Sequence, residues 1–303
     1  MNGSSAPLPD FLIVGASKAG TTSLFRLLAS SDAVYMPEKK ELNFFSVATC
    51  SMSINEISLD RYKKHFEQAP TGTLKGEASP SYLWFPGVAE KIKHFLPAAR
   101  IVMILRNPVD RFWSDYQYAV LWGHHKHDLP EFLSGDHAEN IAWHSPYALI
   151  QKGRYANQVA TYLDAFGREK VFIALFEDFV ASPIEVAQSV MKFVGSEARI
   201  DESNLWHNVG RIVRSRDLAS ARCLVATNRL FARLPSSWRK ILDDVYLAVN
   251  SKPGKVQIPG PIAAQLLDIY AEDISELSPL LGRDLSAWLA PKTASGPAAT
   301  NGA

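Results

Sequence analysis

Between residues 11 and 28 the chain reads FLIVGASKAGTTSLFRLL. Gly15 and Gly20 stand at the spacing of a phosphate-binding loop, and Thr22 takes the place of the hydroxyl that such loops carry. In nucleoside triphosphatases the residue after the second glycine is a lysine that reaches the β- and γ-phosphates. Here that place holds Thr21, and the lysine lies inside the loop as Lys18. An apolar run precedes Gly15 and a helical pattern follows Gly20, the strand-to-helix setting that the motif needs. The N–H groups of residues 18 to 22 are then expected to face one concavity at the positive end of a helix dipole, where an anion binds. A strand-to-helix turn without a ligand is the plainer alternative. The coincidence of two glycines, a lysine and two threonines at this spacing tells against it.

A metal-dependent phosphoryl-transfer site also needs an acidic residue at the end of a second apolar strand. The best candidate strand, RIVMIL, ends in Arg106 instead. An arginine there repels a divalent cation and attracts a second anion. Charge and spacing therefore point to a nucleotide with its 5′ group in the loop, another phosphate near Arg106 and no metal between them. Asn107 can cap a helix that opens at Pro108, which places Arg106 at the strand end and Ser114 two turns along. Arg111 and Ser114, three apart, share a face of that helix. An ordinary amphipathic helix with a surface arginine is the alternative.

Three segments in order, GASKAGTTSL, PEKKELNFF and RNPVDRFWSDYQY, resemble the sulfotransferase superfamily. The resemblance is to the branch of the heparan sulfate N- and 3-O-sulfotransferases and their bacterial relatives, over about residues 10 to 195. It implies 3′-phosphoadenosine 5′-phosphosulfate (PAPS) as donor and adenosine 3′,5′-bisphosphate as product. By resemblance Lys18, Ala19, Gly20, Thr21 and Thr22 bind the 5′-phosphosulfate, and Arg106 and Ser114 bind the 3′-phosphate. Glu41 is implied as the catalytic base, beside Lys40 and ahead of Phe44 and Phe45, and Lys18 as the group that neutralises charge on the leaving oxygen. The chain departs from the pattern where relatives often have His and Lys and it has Asn43 and Ala78. Both departures remove charge near the acceptor and favour a neutral or less anionic one.

A carboxylate facing the acceptor can take its proton as oxygen or nitrogen attacks sulfur, an effect of ~10²–10⁴ in rate. Taken alone, KKE reads as a solvated charge run ahead of an aromatic anchor. The rival base is a histidine, as in cytosolic sulfotransferases, and His124-His125-Lys126-His127 is the conspicuous cluster, though its setting is that of a polar surface loop. Trp143, Tyr147 and Tyr155 either line an acceptor cleft or pack, and Arg154 and Arg214 are basic residues that could reach the nucleotide. Two other functions compete: a P-loop kinase acting on a small metabolite, and a non-catalytic nucleotide sensor.

The elements that must position these residues alternate. Apolar runs at 11–15, 73–77, 100–105 and 170–176 read as strands buried on both faces. Helical patterns at 21–29, 88–95, 108–121, 155–166 and 183–194 separate or follow them. The pattern predicts an α/β, P-loop-containing three-layer fold with a central parallel sheet. After about residue 210 it becomes mostly helical, with candidates at 217–233, 237–249 and 261–277. One domain over residues 10–291 is expected, followed by a disordered tail at 292–303. The net charge of +1 gives no field for nucleic acid. Cys50 and Cys223 form neither a disulfide framework nor a zinc pattern. The N-terminus lacks the pattern of a signal peptide, and no apolar run approaches the ~18 residues of a membrane span. A cytoplasmic enzyme is the expectation.

Overall fold

The computed structural model describes residues 8–46, 56–124, 129–134, 146–201, 211–227, 231 and 233–290. In chain order its elements are β1 (Phe11–Gly15), α1 (Thr21–Ala29), β2 (Val34–Tyr35), α2 (Glu56–Lys63), β3 (Leu74–Ala78), α3 (Val88–Phe95), β4 (Arg100–Leu105) and α4 (Pro108–Leu121). There follow α5 (Leu129–Ser134), α6 (Pro146–Gln151), α7 (Tyr155–Phe166), β5 (Val171–Leu175), α8 (Phe176–Ala181), α9 (Pro183–Val194) and β6 (Arg211–Val213). The last elements are α10 (Arg216–Thr227), α11 (Ser236–Asn250), β7 (Ser251–Pro253), α12 (Gly260–Leu281) and α13 (Ser286–Leu289).

The chain forms two compact units. The first comprises residues 1–107, 155–207 and 276–283, and holds a five-stranded parallel sheet in the order β2-β3-β1-β4-β5. Every residue of β1 is buried, as are five of the six in β4, because both faces of a parallel sheet are covered by crossover helices. Helix α1 packs with α9, and α3 with α7. Strand order reverses direction around β1, so the ends of β3, β1 and β4 open side by side at the carboxyl edge, where open α/β sheets bind ligands.

The second unit comprises residues 108–154, 208–275 and 284–303 and is mostly helical, with a two-stranded antiparallel ribbon of β6 and β7. Its core holds a buried ionic triad. Asp115 Oδ2 lies 3.1 Å from both Arg111 Nη1 and Lys152 Nζ, and Arg111 also donates to the carbonyl of Leu149. Arg111 is thus fully buried, not the surface arginine of an ordinary amphipathic helix. Among the described residues no helix is long and apolar enough to cross a membrane.

Candidate active site

Strand β1 delivers the chain to Gly15, where a Cβ would lie 2.6 Å from that of Leu83. Only glycine fits there. The Ala16 N–H donates to the carbonyl of Ile104 at 2.8 Å, which ties the start of the loop to β4. Buried Ala19 turns its own N–H back to Ala16 at 3.3 Å. Gly20 then enters α1 with φ 87°, in the left-handed region, with Phe179 3.1 Å from the position of a Cβ. The N–H groups of Thr21, Thr22 and Ser23, in the first turn of α1, have no carbonyl to bond within the helix. They stand at the positive end of its dipole.

Arg106 follows β4 and is fixed from three directions. Its Nη1 donates to the carbonyl of Lys18 at 3.0 Å, its guanidinium stacks 4.7 Å over the ring of Phe176, and its own carbonyl accepts from Tyr155 Oη at 3.1 Å. Tyr155 is fully buried, so it packs and does not line a cleft. The arginine expected at the far phosphate also braces the loop expected to hold the near one.

Glu41 reaches the same edge from the other side, through β3. Its N–H donates to the carbonyl of Ala78 at 3.0 Å, and its Oε1 lies 2.6 Å from Lys40 Nζ. The carboxylate is 46% exposed and the lysine 16%, so a substrate can reach the former while the latter is sheltered. Phe45 is buried and Phe44 stacks on Tyr62 at 4.4 Å, an anchor that fixes the segment beyond Glu41.

Beneath this segment lies a buried carboxylate that the sequence reading passes over. Glu77 Oε1 accepts from Ser79 Oγ at 2.6 Å and from Tyr82 Oη at 2.8 Å, while Oε2 accepts from Tyr62 Oη. Burial pushes the Glu77 carboxyl up from its ordinary value, and the three hydroxyls act against that shift. Burial, then the nearby Glu77, raises Tyr62 and Tyr82 well above theirs. Ser79 Oγ in turn accepts the Asn43 N–H at 3.0 Å, and the Tyr82 hydroxyl accepts that of Phe45 at 3.4 Å. Asn43 Nδ2 donates to the Glu41 carbonyl at 3.1 Å, and Oδ1 accepts from Ser81 Oγ at 2.6 Å. Asn43, a lost charge in the sequence reading, here ties down the loop of the expected base. No local signal marks Glu77, because it alternates with Lys75 and Ser79 along the strand and so reads as one position of a polar face.

Among the described non-glycine residues, positive φ occurs at Lys18 (66°), Glu41 (62°) and Asn43 (53°). Asparagine tolerates this region; lysine and glutamate enter it at a cost of about 1–2 kcal/mol each. Such strain persists only where neighbours over-determine the backbone, and it gathers at functional sites. Both residues expected to do chemistry carry it.

Ser114 lies on α4 in the second unit, partly exposed. Arg154 and Arg214 are exposed, and the Arg214 N–H donates to the Asn250 carbonyl at 2.9 Å. His124 Nδ1 lies 3.8 Å from Cys223 Sγ, and burial lowers its pKa. His125, Lys126, His127, Trp143, Cys50, the side chain of Tyr147 and the tail 292–303 lie outside the described residues. No group of three or more His, Cys, Asp or Glu among the described residues could hold a metal ion.

A family model described as a sulfotransferase domain matches residues 8–209. The chain belongs to the sulfotransferase family. The sulfotransferase match takes in the loop, Glu41, Arg106 and Ser114, and ends before β6. The crystal structure of a sulfotransferase from Alicyclobacillus acidocaldarius superposes with TM-score 0.67 and 29% identity, covering 93% of this chain and 99% of its own. The membrane-associated sulfotransferase kil1 of Dictyostelium discoideum is 33% identical over 118 residues, which is 38% of this chain and 24% of that protein. The mouse heparan sulfate glucosamine 3-O-sulfotransferase 5 is 26% identical over 208 residues, 67% of this chain and 58% of that protein. The chain thus spans less than two thirds of the length of these curated sulfotransferases.

Proposed function

We propose that this chain transfers a sulfuryl group from PAPS to a hydroxyl or amine of an acceptor. The observation that carries the reading is the carboxyl edge of three adjacent strands. The Glu41 segment hangs from β3, the Lys18 loop follows β1, and Arg106 follows β4 and is bonded to that loop. In the reaction the acceptor atom attacks sulfur, a new bond to sulfur forms, and the bond from sulfur to the 5′-phosphate oxygen breaks. Glu41 takes the acceptor proton. Lys18 and the first-turn N–H groups of α1 hold the charge that returns to the phosphate, and adenosine 3′,5′-bisphosphate leaves. Preorganised donors of this kind supply ~10²–10³ in rate each.

The 3′-phosphate is assigned to Arg106 and Ser114, as the family resemblance implies. An acidic metal ligand is missing from the end of β4, where Arg106 stands, and this argues for transfer without a metal. The acceptor is a glycan, lipid or other small molecule of low negative charge, the preference that Asn43 and Ala78 imply. The absence of a disulfide or zinc pattern at Cys50 and Cys223 supports a cytoplasmic setting.

A kinase needs a lysine directly after Gly20 and a carboxylate at the end of β4, and has neither. A nucleotide sensor needs no base, and the strained, exposed Glu41 favours catalysis over sensing. The deciding experiment incubates the protein with PAPS labelled with ³⁵S and panels of glycans, lipids and phenols. Label moving to an acceptor supports the reading, whereas binding of PAPS without transfer to any acceptor favours the sensor.

A further inference from the structure

Helix α11 in the second unit is inside out. Trp238, Ile241, Leu242, Val245 and Val249 fall at i, i+3, i+4, i+7 and i+11, the spacing of a face that normally packs on a core. They point outward instead: Leu242, the least exposed, is 42% accessible and Trp238 is 60% accessible. Its inward side is the more polar one. Tyr246 donates to the Leu121 carbonyl, Asn250 exchanges hydrogen bonds with the backbone of Ser215 at 2.9 Å, and Asp243 pairs with Arg222 of α10. Through that pair α10 lies alongside, with Leu224 and Val225 exposed as well.

The charge around this face leans basic. From Leu218 to Leu242 the chain carries five lysines and arginines and no aspartate or glutamate, within a protein whose net charge is only +1. Arg222 is spent on Asp243, and Arg233, Arg239 and Lys240 are exposed. Asp217 on one side and Asp243 and Asp244 on the other bound that stretch, and exposed Asp244 lies 3.4 Å from Lys240, so the surface keeps an excess of cations and not a single sign. Exposed aliphatic side chains, a tryptophan and surrounding cations suit a helix lying in the interface of an anionic bilayer. A second copy fits less well, since a two-fold contact through this face would set the same cations against one another. The C-terminal PKTASGPAATNGA has no large apolar side chain with which to cover it.

We propose that the outward face of α11, with Leu224 and Val225 of α10, docks this protein on an anionic lipid surface. The test is sedimentation of the full chain with vesicles of phosphatidylcholine, alone or mixed with phosphatidylserine, at low and high salt. Wild type is expected to follow the mixed vesicles and to be released by salt. The triple variant Trp238→Ser, Ile241→Ser, Val245→Ser should lose at least about tenfold in partitioning, since it removes the buried apolar anchor. The triple variant Arg233→Gln, Arg239→Gln, Lys240→Gln should lose roughly fivefold per cation. Thermal melts of both should match wild type, because the altered side chains face solvent. Failure of wild type to sediment, or equal sedimentation with neutral vesicles, overturns the proposal. Concentration-dependent dimerisation that the serine variant abolishes, without vesicle binding, assigns the face to a second copy.

Discussion

Arg106 Nη1 donates to the backbone carbonyl of Lys18 at 3.0 Å, so the residue assigned to one end of the nucleotide also braces the loop assigned to the other. Arg106→Ala therefore has two effects of different size. A charge-assisted hydrogen bond to the 3′-phosphate is worth ~1.5–3 kcal/mol, so affinity for adenosine 3′,5′-bisphosphate should fall roughly 10- to 150-fold. Loss of the brace, a guanidinium bond to a loop carbonyl that does not itself touch the ligand, should weaken adenosine 5′-monophosphate by less than this. Ser114→Ala should cost the bisphosphate less than Arg106→Ala does. Calorimetric titration of both nucleotides reads this directly. Equal losses for the two nucleotides in Arg106→Ala mean the arginine is a strut only.

Glu41 separates chemistry from binding. Glu41→Gln keeps the size of the side chain and the backbone bond to Ala78 but removes the proton acceptor. It should lower kcat by ~10²-fold or more and leave nucleotide affinity nearly unchanged. A kcat close to wild type moves the base role to a histidine, with His124 the first to replace.

An Arg106 in place of a metal ligand predicts that turnover with PAPS survives EDTA and that ATP donates nothing. Turnover that requires added Mg²⁺, or phosphate transfer from ATP, restores the kinase reading.

The elements of the nucleotide side were legible because they are periodic. Strands β1 and β4 are unbroken apolar runs, and α1, α4, α7 and α9 begin and end where their patterns do. Two-residue β2 and the β6–β7 ribbon are too short for any period to show. Lys18, Glu41 and Arg106 were legible as residues; what joins them was not. The bond from Arg106 to Lys18 spans 88 positions and the tie from Asn43 to Ser79 spans 36, and nothing local encodes either. Glu77 was hidden for a different reason. A lone carboxylate in a strand reads as an exposed position, and only the fold reveals the hydroxyls of Tyr62, Ser79 and Tyr82 around it.

Asn43 combines a left-handed backbone with two side-chain bonds, and substitutions can separate these. Asn43→Gly keeps the φ of 53° available but deletes the bonds to Glu41 and Ser81. Asn43→Val opposes the backbone as well, because a branched Cβ is poorly tolerated there. Glycine should therefore lower kcat moderately with melting little changed, and valine should lower both. Equal activity in glycine and wild type shows that the side chain does not hold the Glu41 segment.

Glu77 makes stability depend on pH in a direction opposite to that of a surface ion pair. Its carboxyl is raised in the folded protein by burial, so the folded state binds the proton more tightly than the unfolded chain. Its contribution is fully present below the unfolded value of about 4.3 and declines as pH rises through the folded one. Glu77→Gln keeps the shape and most of the hydrogen bonds but cannot titrate. The stability of wild type relative to Glu77→Gln should thus fall as pH climbs above about 4.3, then level off once Glu77 is ionised in the folded state. Thermal melts of the two proteins between weakly acidic and weakly basic pH measure the difference, in which the other titrating groups cancel. A relative stability that climbs with pH instead means the three hydroxyls outweigh burial and hold Glu77 as a carboxylate. The network under Glu41 would then be anchored on a buried negative charge and not on a shared proton.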